Sequence, residues 1–244
     1  MNGADACCAI CDGLAEEIRS RGVSADRILV VPNGVDPGEF RPGPRPVGLS
    51  KRLGLDDALT MGYIGYFFLY EGLDLLLAAA PLLLGDFPFL KLLLVGDGEV
   101  MGDLRRLAQT LRISDKVVFT GRVPHLEITD YYRLCDLLVL PRRETRETRL
   151  VTPLKPLEIM AMSKAVVASD IGGHRETIQD GLNGALFASG DCRDLAAKCR
   201  RLLGSDELRM EIGRRSRKWI EDYRDWNVLA DRYVSLYSSL AGTK

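Results

Sequence analysis

The chain has 244 residues, with 33 Lys and Arg against 34 Asp and Glu, a net charge of −1, and 46% apolar residues. This is an ordinary globular composition, long enough for one large domain or two small ones, and it carries no global field to attract nucleic acid or an anionic membrane, so any anion site must be local. The most apolar stretch, 75–84, is interrupted by Pro81 and falls far short of the roughly 20 residues that a membrane span needs.

In chain order, "ADACCAICDGLAEEIRSRGV" predicts a strand, a cap at Asp12 and a helix. "ILVVPNGVD" predicts a strand ending in an Asn-Gly turn, and "PGEFRPGPRP" a Pro/Gly linker. These first 40 residues cannot bury a core of their own, and they read as the tail of a domain whose remainder lies outside the chain. Residues 41–244 then form the main domain. "TMGYIG" leads to a helix over about 72–84, "LKLLLVG" to one over about 99–112, and "KVVFTG" to a short one near 126–133. "DLLVLP" precedes the helix of "PLKPLEIMAM", and "AVVASD" precedes a Gly172-Gly173 loop. Near-continuous apolar strands, each followed by a helix, predict a doubly wound parallel α/β sheet covered on both faces. After the turn "DGLNG" and a short strand, three extra helices are expected near 191–203, 206–222 and 226–240, with Asp191 and Asp225 at N-cap positions. Asp5 comes early and no basic start precedes it, so no signal peptide is expected. The six cysteines read as reduced, mostly buried thiols of a cytosolic protein.

In such a sheet ligands bind at the carboxyl ends of strands. Four loops qualify: "GYFFLYEG", where Gly65 would let a ligand approach the backbone; "VGDGE", whose Gly-x-Gly reads as a plain strand-to-helix turn; "TGRVPH"; and "PRRETRETRLVTP". The last holds Arg142, Arg143, Arg146 and Arg149, either as a solvated charge run or as part of an anion site. Pro153 and Pro156 are tolerated only in a first helical turn, so the following helix starts near 153–156, with its positive dipole end beside Lys155. That start suits a phosphate, and Glu158, one turn on and on nearly the same face, suits adjacent hydroxyls such as those of ribose. A structural ion pair between Lys155 and Glu158 explains the spacing equally well.

The succession "VVPNGVD", "GYIG" with "EGLDLLL", "LLLVGDGE", "VVFTGRVPH", "YYRLCDLLVLPR", "PLEIMAM" and "AVVASDIGGHRETIQDGLNGALF" resembles the C-terminal, nucleotide-sugar-binding domain of family 4 retaining glycosyltransferases. These have the GT-B fold of two facing Rossmann-like domains. "VTPLKPLE" and "YEGLD" further resemble the branch found in exosortase-linked exopolysaccharide loci. The resemblance implies hexosyl transfer from a nucleotide diphosphate sugar, with no metal or other cofactor. The acceptor would be a glycan or lipid-linked and would bind through a missing N-terminal domain. It implies that Lys155 and Glu158 are the principal site residues, with Gly65, Tyr66, Arg122, Val123, Arg142, Arg143, Thr152, Leu154 and Leu157 completing the donor site. Glu158 is similar to the second glutamate of the family's Glu-x7-Glu motif, which holds the ribose hydroxyls. Leu150 stands where the first glutamate is expected, and Tyr66 and Glu71 stand where the family's phosphate-binding Arg and Lys are expected. A carboxylate about 6 Å from a phosphate costs roughly 3 kcal/mol at an effective dielectric near 20. Either Glu71 points away from the donor, or Lys155, with Arg142 or Arg143 and the helix start at 153–156, has taken over the phosphates; the second is the expectation. His125 and His174 read as structural or surface residues. A non-catalytic nucleotide-binding half or split-enzyme subunit, and a nucleotide-sugar epimerase of the same architecture, are the alternatives. Apolar faces on the terminal helices, including Trp219, Trp226 and Tyr233, suggest a homodimer, and the inner membrane face is an alternative location.

Overall fold

Residues 3–242 are described by the structure, a computed structural model. The chain begins with β1 (Cys7–Ala9), α1 (Asp12–Ser20) and β2 (Ile28–Val30), the two strands pairing in parallel as a small separate sheet. Cys11, not Asp12, is the N-cap of α1; Asp12 is its first helical residue, where a carboxylate still faces the positive end of the helix. The segment that follows is tied to the rest of the molecule, because Arg217 donates to the carbonyls of Phe40 at 2.7 Å and Ala161 at 2.6 Å.

The main body follows in the order α2 (Val47–Leu53), β3 (Leu59–Ile64), α3 (Leu73–Ala79), α4 (Pro81–Leu84), β4 (Leu90–Val95), α5 (Met101–Thr110), β5 (Val117–Gly121), α6 (Ile128–Leu134) and β6 (Leu137–Leu140). It continues with α7 (Arg146–Leu150), α8 (Lys155–Ala161), β7 (Ala165–Ser169), α9 (Gly172–Arg175) and β8 (Ala185–Phe187). The helix expected over 72–84 is split because Pro81 has no N–H to bond back; Ala80 bonds the Leu77 carbonyl instead, at 3.3 Å. The Gly172-Gly173 loop is the short helix α9, and the polar connection after β6 contains α7, capped by a reciprocal Thr145–Thr148 box. Charge density hid α7, since its five residues carry no apolar periodicity.

Strands β3 to β8 form one parallel sheet in the order β5-β4-β3-β6-β7-β8. The chain winds outward from β3 in one direction through β4 and β5, then returns to β6 on its other side. The strand order therefore reverses between β3 and β6, the place at which ligands bind in a doubly wound sheet, and the loops leaving these two strands stand side by side there. Met61, Tyr63, Leu92, Leu94, Leu138, Val139, Val166 and Val167 are fully buried, as expected for strands covered on both faces.

Three helices close the chain: α10 (Cys192–Leu203), α11 (Asp206–Tyr223) and α12 (Trp226–Ala241). The side chains of Asp191, Ser205 and Asp225 cap them. Helix α11 lies against α8 and β7, and α12 buries Leu229 alone among its residues. Trp226 is exposed, as are Val228, Val234 and Tyr237, whereas Trp219 and Tyr233 are half-buried, less open than the sequence suggested. Among the described residues no helix is long and apolar enough to cross a membrane.

Candidate functional site

The strand reversal is flanked by the loop after β3 and the loop after β6. Phe67 anchors the first loop: its ring is fully buried, and its N–H donates to the Asp97 carbonyl at 2.9 Å. Gly96, at φ 130°, lies so close that a Cβ there would sit 1.9 Å from the Gly65 carbonyl oxygen. The "VGDGE" glycine therefore serves this loop contact, in keeping with a plain turn. The second loop joins the first where the Arg143 N–H donates to the Tyr70 carbonyl at 2.8 Å.

Lys155, the first residue of α8, extends across Gly65 toward the first loop. A Cβ on Gly65 (φ 148°) would meet Lys155 Cε at 2.3 Å, so the absent side chain there makes room for the lysine. The Lys155 ammonium reaches Glu71 Oε1 at 2.8 Å. Arg142 grips the same carboxylate twice, Nη2 to Oε1 at 2.9 Å and Nε to Oε2 at 3.2 Å. Glu71 has no exposed surface, and the Lys155 and Arg142 side chains are 20% and 12% exposed. Burial alone would raise the Glu71 pKa, but the Arg142 hydrogen bonds and the charges of Lys155 and Arg142 outweigh it and hold the carboxyl below its usual range. The cluster thus carries one net positive charge, and its acid faces inward.

Glu158, one turn along α8, accepts a 2.6 Å hydrogen bond from the Tyr132 hydroxyl. Burial raises its pKa against that bond and against the Lys155 charge, the largest opposing contributions. Lys155 is therefore near enough to act on Glu158, yet the two are not a closed ion pair, because Lys155 is committed to Glu71. Tyr66, Arg122 and Val123 line, with Ile64, Gly65 and Asp97, an adjoining cleft of about 160 Å³. A larger cleft, about 320 Å³, opens beside Gly54, Asp57, Pro88 and Lys91 at the amino ends of β3 and β4, the edge opposite the loops that follow β3 and β6.

Several expected residues fall elsewhere. Arg143 pairs with Asp74 on the surface and does not join the cationic cluster. Leu157 is fully buried in the core, whereas Leu154 is 49% exposed at the start of α8. Thr152 is buried and donates to Glu176 Oε2 at 3.0 Å; Glu176 Oε1 accepts from the Gly13 N–H at 3.2 Å, which links the site to the chain's first segment. The expected helix-tip contribution is small: α8 has seven residues, Pro156 has no N–H, and the Leu157 N–H is taken by the Leu154 carbonyl at 2.9 Å. Sequence reasoning missed Tyr132 and the bridging position of Glu71, because partners 26 and 84 residues away from α8 leave no local spacing signal. His125 is exposed beside Glu39, at 3.2 Å. His174 is fully buried, its Nδ1 is 2.8 Å from the Ser169 carbonyl, and burial depresses its pKa to about 4.

A parallel sheet with a cationic cluster at the strand reversal defines a doubly wound α/β domain. The chain belongs to the group 1 glycosyltransferases, whose family model, "Glycosyl transferases group 1", matches residues 49–219. It is 33% identical over 231 residues to a D-inositol 3-phosphate glycosyltransferase of Geodermatophilus obscurus, covering 90% of this chain and 49% of that protein. It is 29% identical over 212 residues to the GDP-mannose-dependent alpha-(1-6)-phosphatidylinositol monomannoside mannosyltransferase of Mycolicibacterium smegmatis, covering 85% of this chain and 55% of that one. The chain thus spans about half the length of these curated relatives. Among solved structures, HepE of Anabaena in complex with UDP-glucose superposes with a TM-score of 0.86 at 21% identity, covering 97% of this chain and 64% of HepE. The C-terminal domain of the group 1 protein LpcC from Francisella tularensis gives 0.68 at 22% identity, covering 79% of this chain and all of that domain. The fold is accordingly that of the C-terminal half of a GT-B protein, with extra terminal helices.

Proposed function

We propose that the chain is the donor-binding half of a retaining hexosyltransferase that draws on a nucleotide diphosphate sugar, in cell-surface or exopolysaccharide assembly. The observation that carries this reading is the convergence of Lys155 and Arg142 at the strand reversal, with Glu158 beside them. In this reading the two cations receive the diphosphate, and Glu158 accepts hydrogen bonds from the ribose hydroxyls. The base enters the cleft of Tyr66, Arg122 and Val123. The cations then stabilise the charge that develops on the departing phosphate, a role that needs no protein nucleophile. The UDP-glucose held by HepE and the GDP-mannose dependence of the M. smegmatis relative support a nucleotide-sugar donor without choosing its base. Residues 1–40 are, on this view, the end of an acceptor-side domain and its linker, and 41–244 the donor domain.

A non-catalytic binding half is the second reading. Leu150, at the place of the donor-sugar glutamate, and the engagement of both cations by Glu71 favour it. Thermal shift with UDP-glucose, GDP-mannose and ADP-glucose tests the shared part: at least one should raise the melting temperature, and no response to any of them would refute donor binding. Turnover by the chain joined to a family N-terminal domain separates enzyme from binder.

A further inference from the structure

We propose that Tyr132 is a positioning residue for ribose recognition: by holding one oxygen of Glu158, it keeps the other free and oriented to accept from a ribose hydroxyl. This rests on the donor-site reading above. The Tyr132 hydroxyl donates to Glu158 Oε2 at 2.6 Å, and the ring behind it is fully buried, with Phe40 edge-on at 6.2 Å. Helix α6, which carries Tyr132, is itself tied to the turn after α8, because the Lys164 ammonium donates to the carbonyls of Arg133 at 3.2 Å and Cys135 at 2.8 Å. The hydroxyl is thus a fixed point, and the carboxylate settles on it.

The second oxygen is unspent. Among the described residues the bond from Tyr132 is the one hydrogen bond of the Glu158 side chain. Oε1 is not sealed off either, since the buried side-chain atoms without a partner there belong to Arg133, His174 and Arg224. Lys155, one turn earlier, is committed to Glu71 and does not close on Glu158. A carboxylate in this state lowers stability: burial raises its pKa, and the Tyr132 bond, the largest opposing contribution, offsets that only in part. A neutral acceptor would serve Tyr132 as well. What the charge adds is a stronger acceptor for a hydroxyl brought from outside, and what Tyr132 adds is that the carboxylate need not be ordered when that hydroxyl arrives.

Calorimetry of the full chain with whichever of UDP and GDP it prefers, and with the two monodeoxyribose analogues of that nucleotide, tests this. In wild type at least one analogue should bind about tenfold more weakly than the parent, the worth of one charge-assisted hydrogen bond. Tyr132→Phe keeps the ring and removes the donor, so that penalty should shrink about threefold or more, the cost of ordering a freed side chain on binding, while the affinity for the analogue itself stays near wild type. Glu158→Ala leaves Tyr132 nothing to hold. Adding Tyr132→Phe to it should change no affinity, and this comparison serves alone if the single variant fails to fold. A penalty that stays or grows in Tyr132→Phe, or a further loss in the Glu158→Ala background, would overturn the proposal. A wild-type chain that binds both analogues as tightly as the parent, or binds no nucleotide, overturns the donor-site reading first, and this inference with it.

Discussion

Replacing Lys155 by Met removes the ammonium and keeps most of the aliphatic stem that crosses Gly65. At an effective dielectric near 20, a phosphate charge about 4 Å from Lys155 gains about 4 kcal/mol from it, while Glu71, some 3 Å further back, opposes by about 2.4 kcal/mol. Truncation deletes the attraction and keeps the opposition. Water and salt entering the vacated space recover part of the difference, so a loss of about 2–3 kcal/mol in binding is expected, roughly 30- to 150-fold in affinity. The fold should lose about 1–3 kcal/mol, held to that range because Arg142 still pairs with the buried Glu71 carboxylate through two hydrogen bonds. Calorimetric titration of wild type and variant with UDP and GDP at 0.15 M salt reads the first quantity, and urea denaturation reads the second. An affinity within threefold of wild type in a folded variant would refute the assignment of Lys155 to the phosphates.

Glu158→Gln keeps an acceptor for the Tyr132 hydroxyl but loses the charge that strengthens ribose hydrogen bonds, so nucleotide affinity should fall about tenfold. Because burial raises the Glu158 pKa in the fold, its ionised form is penalised at neutral pH; the Gln variant should be more stable than wild type there, and the advantage should vanish as acid protonates the carboxyl. Urea melts at two pH values check the sign, and a destabilised variant at neutral pH would mean that the Tyr132 bond to the carboxylate outweighs burial. His174 has its folded pKa depressed from 6.5 to about 4, so its stabilising contribution is complete above 6.5 and is lost as pH falls toward 4. Between pH 7.5 and 5 this amounts to about 2 kcal/mol, and His174→Asn, which retains a donor for the Ser169 carbonyl, should flatten the stability profile by that amount.

The order of elements and the sheet class were legible because they depend on local repetition: runs such as "LKLLLV" and "LLVL" must be covered on both faces wherever they sit. Capping by Asp191 and Asp225 was legible for the same reason, as an acid beside its own helix. Elements that rest on backbone geometry or on a short polar cap were not, and α7 and α9 went unseen. The position of Lys155 at the start of α8 also followed from its neighbours, since two prolines leave little choice of helix start.

What each charge faces is a different matter. The sequence determined that a lysine and a glutamate lie one turn apart at the mouth of a parallel sheet; the tertiary structure decided that they do not pair. Lys155 turns to Glu71, 84 residues away, because the reversal of strand order between β3 and β6 brings their loops together, and Glu158 turns to Tyr132 on α6, 26 residues away. Electrostatic partners are chosen by distance in space, and local spacing constrains that distance only within a turn or two of helix.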